Sequence, residues 1–213
     1  MYIPDHFRPD DADVEELMAH LGAADLITAT SEGLLATMLP LIREPPGSAS
    51  VPNDHGRLLG HVARNNRQWR VAPEGDALVI VRGPDAYISP SWYATKREHG
   101  RVVPTWNYIT AHIYGPLTIH DDPDWVEANV RALTARHEGR RLGPWSVDDA
   151  PPAYIAGQLR AIVGVEIAID RIEAKFKLSQ NRSEADIKGA IAGLDADGDR
   201  PMAEAMRANR RGG

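Results

Sequence analysis

The densest run of groups able to hold an anion is Glu173-Ala174-Lys175-Phe176-Lys177-Leu178-Ser179-Gln180-Asn181-Arg182. Read as a strand, its period of two puts Lys175, Lys177 and Ser179 on one face and Ala174, Phe176 and Leu178 on the other. Ser183 can then cap a helix, with Asp186 three residues on, so the first helical amides and the positive end of the dipole would lie beside Gln180, Asn181 and Arg182. The chemistry this suits is the binding of a phosphate-like anion. The competing account makes Lys175 and Lys177 the solvated face of an edge strand, where charges guard against aggregation.

A second candidate is Gly60-His61-Val62-Ala63-Arg64-Asn65-Asn66-Arg67-Gln68-Trp69, a strand end turning into a helix, where an anion would meet free amides together with Arg64. An ordinary helix start, with Asn65 and Asn66 as caps and Trp69 in the core, explains the same residues. The third candidate is aromatic: Tyr87-Ile88-Ser89-Pro90-Ser91-Trp92-Tyr93 and Val103-Pro104-Thr105-Trp106-Asn107-Tyr108. Rings set among Ser, Thr and Asn could cover a flat ligand or build a subunit interface, or simply pack.

Several chemistries are excluded. There is no cysteine, so disulfides, thiolate metal sites and cysteine nucleophiles are all ruled out. The eight histidines have no metal-ligand spacing. His112 and His120 read as structural. No Gly-x-Ser-x-Gly, P-loop or Gly-x-Gly-x-x-Gly occurs. Lys and Arg number 24 against 30 Asp and Glu, a net charge of -6, which supplies no long-range attraction to nucleic acid or anionic membrane. No segment approaches the roughly 20 apolar residues of a membrane helix, and the start has no leader pattern, so a soluble cytoplasmic protein is expected.

The elements that must position these groups follow from periodicity. Helices are expected over Asp11 to Leu21, Ala63 to Val71, Pro123 to His137 (Asp122 as N-cap, Pro123 at N1), Pro152 to Ile162 and Ser183 to Leu194. Strands are expected over Asp25 to Thr30 and Leu34 to Ile42, a hairpin in which Pro40 confines the second strand to an edge or bulge. Further strands are expected over Arg57 to Val62, Ala77 to Gly83, Asp85 to Ser89, Val102 to His120 and Val163 to Gln180, with a loop from Pro45 to Gly56. In the Val102 to His120 segment, Trp106, Tyr108, Thr110, His112 and Tyr114 alternate with Asn107, Ile109, Ala111 and Ile113, giving one core face and one that wants a partner. Mostly adjacent strands predict an α+β fold, an antiparallel barrel dressed with helices. One domain over 1–194 and a tail over 195–213, helical in part or disordered, complete the expectation.

Five blocks in order carry a resemblance: Met1-Tyr2-Ile3-Pro4-Asp5-His6-Phe7, Leu59 to Asn66, Tyr87 to Tyr93, Val103 to Tyr108 and Lys175 to Arg182. They resemble the signature blocks of the PaiB family of FMN-binding negative transcriptional regulators, over nearly the whole chain to about Leu194. The resemblance implies a split β-barrel of the FMN-binding, pyridoxamine-phosphate-oxidase-like type, a homodimer with FMN at the subunit interface. By the same analogy, Thr37 with His61, Val62, Ala63, Arg64 and Asn65 would hold the ribityl phosphate. Trp106, Asn107, Lys175, Lys177, Gln180, Asn181 and Arg182 would complete the cofactor site. The implied role is a regulator or sensor. Direct DNA binding is not expected, given the negative charge and the lack of a helix-turn-helix or basic arm. A flavin-dependent oxidoreductase acting on a small molecule is the alternative, and an empty barrel serving as an interaction module a third.

Overall fold

The computed structural model describes residues 1–47 and 55–209. Most of the expected loop from Pro45 to Gly56 and the last residues of the tail lie outside them. Eight strands are present: β1 (Ala23–Thr30), β2 (Gly33–Glu44), β3 (Arg57–Ala63), β4 (Ala77–Ile88), β5 (Thr105–Gly115), β6 (Leu117–His120), β7 (Ile162–Ala168) and β8 (Arg171–Lys177). Six α-helices accompany them: α1 (Asp11–Ala19), α2 (Thr95–Glu98), α3 (Pro123–Glu138), α4 (Pro152–Leu159), α5 (Glu184–Asp197) and α6 (Arg200–Asn209). The strands form one antiparallel sheet in the order β6-β7-β3-β2-β1-β4-β5-β8. An α+β fold built on an antiparallel sheet with peripheral helices is what the pattern of adjacent strands predicts.

The chain divides into two compact units, the first comprising Met1–Leu17, Arg82–Ala111 and Glu173–Gly213, the second Met18–Val81 and His112–Ile172. In the second unit β1 and β2 form the predicted hairpin, in register from Thr30↔Gly33 to Ala23↔Pro40. Pro40 does not confine β2 to an edge, because it sits where the strand changes partner. Pairing with β1 ends at Pro40 and pairing with β3 begins at Leu41↔Gly60, so the missing N–H interrupts neither ladder. The expected strand from Val163 to Gln180 is two strands, bent at Ile169 and Asp170. Their amides donate to Gly56 O (3.0 Å) and Tyr114 O (2.9 Å), while Ala168 N–H reaches Pro116 O (3.3 Å), fastening this corner to the one between β5 and β6. Gly115 allows that approach, since a Cβ there would stand 1.7 Å from Ala168 O.

Two further expectations are corrected. Ala63 to Val71 is a series of turns, because side chains tie the segment to the hairpin instead of letting it coil. Asn66 Nδ2 donates to Thr37 Oγ1 (2.8 Å), and Gln68 Nε2 donates to Leu26 O (3.1 Å) and Thr28 Oγ1 (3.2 Å). Gly83-Pro84 does not split β4. Gly83 makes room for Ile109, whose Cβ would lie 2.8 Å from a side chain at that position.

Helix α3 starts as its sequence requires, Asp122 Oδ1 accepting from Trp125 N–H at 2.9 Å, and it buries Val126, Asn129 and Leu133 on one stripe. Trp125 stacks on His120 (4.0 Å, 6°), which bonds Glu166 at 3.0 Å, a structural role for that histidine. Gly164 lies under this indole, and a Cβ there would sit 2.2 Å from the ring. Gly164→Ala is therefore expected to destabilise the protein by about 1–3 kcal/mol, measurable by chemical denaturation; an unchanged midpoint would mean the Trp125 ring can move aside.

In the first unit α5 is capped by Ser183, whose hydroxyl accepts from Asp186 N–H at 3.2 Å, and ends at left-handed Gly198. Gly189 and Gly193 admit Trp92 against this helix. The tail carries α6, which buries Met202, Ala203 and Met206 and packs on α5. No helix of the described residues is long and apolar enough to cross a membrane.

Candidate functional site

The two groups of residues singled out by sequence lie in different units. In the second unit, β3 delivers half-buried His61, buried Val62 and exposed Ala63 to the turn that follows. Burial pushes the His61 imidazole below its ordinary pKa, and its Nδ1 lies 3.4 Å from Asn129 Oδ1. Arg64 is fully engaged. Its guanidinium forks onto both oxygens of Asp121 and donates to the carbonyls of Arg160 (2.7 Å) and Ile162 (3.1 Å). The ion pair raises the arginine and lowers Asp121. Arg64 O in turn accepts from the Trp69 indole (2.9 Å) and Arg70 (2.9 Å), and half-buried Thr37 is held by Asn66. Asn65 is exposed. Arg64 is thus neutralised and tied to the chain around it, and Asn66, which sequence reasoning treated as a cap, is what joins Thr37 to the turn.

In the first unit the cations are brought together. Lys175 is buried, not solvated: its ammonium lies 5.7, 5.8 and 5.4 Å from the ring centres of Tyr2, Phe7 and Tyr108. Lys177 shares Tyr108 from 5.9 Å and donates to the Thr105 hydroxyl and Trp106 carbonyl. Its pKa is held below the usual lysine value by burial first, then by repulsion from Lys175 and Arg182. Arg182 lies over the Tyr93 ring at 4.9 Å. Gln180 folds back on its own strand, accepting from Leu178 N–H (2.7 Å) and donating to Phe176 O (2.6 Å), and Asn181 is exposed. Half-exposed Trp106 donates to Asp85 (2.8 Å) and meets Tyr87 edge-on at 6.2 Å. Asn107 is fully buried on Ser179, so it supports the site from behind. The sequence placed Ser179 with the lysines and put Tyr93, Thr105 and Tyr108 in a separate aromatic candidate; that the two candidates meet at one place is decided only by the fold.

Charge repulsion among three cations at one place raises the energy of the free protein. An anion placed among them would relieve it. By contrast, two clefts of about 300 and 340 Å³ beside α3 and α4 share Arg131, whose guanidinium is already engaged by Glu127 and Asp148, and neither is lined by a residue picked out from sequence.

One face of the β1 and β2 hairpin is uncovered. Leu34 (77% exposed), Ala36, Met38 (72%) and Pro40 alternate along β2, opposite Ala29, Ile27, Asp25 and Ala23 of β1. A contiguous apolar strip of this kind is unusual on a monomer.

A family described as "Putative FMN-binding domain" matches residues 1–171. Protease synthase and sporulation protein PAI 2 of Bacillus subtilis is 34% identical over 208 residues, covering 97% of this chain and 94% of that protein. An uncharacterized protein of Emericella nidulans is 31% identical over 74% of this chain and 73% of its own length. Among solved structures, the flavocytochrome Anf3 of Azotobacter vinelandii aligns with a TM-score of 0.56 at 15% identity, over 79% of this chain and 68% of that one. The FAD and heme binding protein of Mycobacterium smegmatis aligns with a TM-score of 0.53 at 17% identity, over 84% and 77%. At such identities these likenesses establish the fold alone, a split barrel of the kind those proteins have.

Proposed function

The chain belongs to the PaiB family of FMN-binding-domain proteins, and from that premise we propose that it binds FMN as a homodimer and serves as a regulator or sensor. The observation that carries the reading is the gathering of Lys175, Lys177 and Arg182 around Tyr108 and Tyr93 in the first unit. A phosphate dianion neutralises such a cluster, and the half-exposed Trp106 and Tyr87 rings beside it suit a flat heterocycle. When bound, FMN supplies reversible electron or hydride acceptance; the protein's part is to hold the phosphate and shield the ring. The uncovered β2 face supports self-association, and the net charge of -6 favours action through protein surfaces over DNA phosphates.

Purified protein is expected to be yellow and to release FMN on denaturation. Colourless protein that does not take up added FMN would end the proposal. Salt-sensitive DNA binding would overturn the indirect mode of regulation, and turnover of a substrate with NADH or NADPH would replace the sensor with an oxidoreductase.

A pH dependence follows from Lys177. Its free-state pKa is depressed, and a phosphate beside the ammonium would raise it, so FMN binding is expected to take up protons as the pH passes that free-state pKa. Affinity should therefore be full below the free-state pKa and fall as pH rises through it. Lys177→Arg should flatten that fall in a fluorescence titration; an unaltered profile would place the ionisation elsewhere.

A further inference from the structure

Ser179 is the one residue other than glycine in the left-handed region among the described residues, with φ 67°. Serine has no intrinsic preference for that conformation, which is held only where the surroundings over-determine it. They do so here. Ser179 is buried, and its hydroxyl is linked both ways to the Asn107 amide, accepting from Nδ2 at 3.0 Å and donating to Oδ1 at 3.2 Å. Asn107 has no exposed surface, sits in a strand whose other inward residues include Ala111 and Ile113, and has its second amide hydrogen directed at Met206 Sδ of α6 (3.4 Å). A buried asparagine in such a strand is expensive unless its hydrogen bonds are made, and most of them are made to one serine.

The placement of that serine gives the pair a purpose. On one side, Lys177 is pinned by Thr105 and the Trp106 carbonyl, so β5 grips two alternate positions, 177 and 179, of the departing chain. On the other, the Ser179 carbonyl accepts from Arg182 N–H at 2.9 Å, closing a turn that returns Arg182 toward the lysines, whose field it perturbs.

We propose that Asn107 and Ser179 are positioning residues: their mutual hydrogen bonds lock the turn that aims Lys177 and Arg182 at one phosphate group, so that the pair sets discrimination between a phosphorylated flavin and its unphosphorylated form. This rests on the FMN reading above. The pair acts through the cations, without itself touching ligand.

The test compares FMN with riboflavin by fluorescence titration of the full chain, wild type beside Ser179→Ala and Ser179→Gly. Glycine tolerates the left-handed backbone and so protects the experiment from a folding defect. Both variants are expected to bind FMN about tenfold more weakly while riboflavin affinity stays at the wild-type value. Equal losses for both ligands, or an FMN affinity unchanged in both variants, would overturn the inference while wild-type discrimination left the FMN reading standing. Wild type that binds FMN no better than riboflavin would overturn the phosphate reading and this inference together.

Discussion

Lys177→Ala should weaken FMN binding by about 10- to 100-fold, the range expected for losing one charge-assisted hydrogen bond of about 1.5–3 kcal/mol. The ammonium is already partly desolvated and already held by Thr105 and the Trp106 carbonyl, so no flexible side chain has to be ordered when the phosphate arrives. Riboflavin affinity should be unaffected, because only the phosphate is addressed. The same substitution should leave the unliganded protein no less stable at neutral pH, since it removes a charge that Lys175 and Arg182 repel. The sign is fixed by linkage: a lysine depressed in the folded state opposes folding while protonated, and that opposition lifts as pH rises through its folded pKa. Arg64→Ala is expected to behave in the opposite way. Its fork onto Asp121 and its bonds to two carbonyls fasten the turn after β3, so stability should fall, with a smaller change in FMN affinity than Lys177→Ala produces. Isothermal titration and denaturation of the two variants side by side separate ligand contact from scaffold. Equal affinity losses would mean that both cations reach the phosphate.

What the sequence made legible was local. Asp122 with Pro123, and Ser183 with Asp186, announce helix starts because a cap is a contact between near neighbours, and the structure forms both. The hairpin around Gly33 is legible for the same reason. Failures occurred where a distant partner decides the outcome. The turn from Ala63 to Val71 has helical periodicity, but Asn66 and Gln68 bond to strands about thirty to forty residues away. Pro40 looked like an edge because sequence does not show that β2 changes neighbours at that residue. In the site, the lysine pair was visible from alternation, yet alternation could not tell a solvated strand face from one covered by Tyr2, Phe7 and Tyr108. Alternation did separate Asn107, buried with Ala111 and Ile113, from the half-exposed Trp106 that precedes it, but it could not show that the buried amide would meet Ser179.

Met38→Glu should convert the proposed homodimer to a monomer at micromolar concentration. The side chain stands at the middle of the exposed β2 strip, 72% exposed, between Ala36 and Pro40 and opposite Asp25 across the hairpin. In a homodimer that uses this face, a carboxylate at that position is buried without a partner and beside another acid, which costs about 3 kcal/mol or more. A dissociation constant then rises by more than about 100-fold. Leu34→Glu, at the strip's other end, should act in the same direction but more weakly if it lies nearer the rim. Leu142→Glu is the control, a fully exposed apolar residue on a loop of the same unit, where a charge meets only water. Sedimentation equilibrium reads the mass, and FMN titration of the same samples reads the consequence. Because the family resemblance puts the cofactor between subunits, monomeric Met38→Glu should lose FMN affinity although every cationic residue is retained. A Met38→Glu protein that stays dimeric and yellow would move the interface to another face of the molecule, and a monomer that still binds FMN at wild-type affinity would confine the site to one chain.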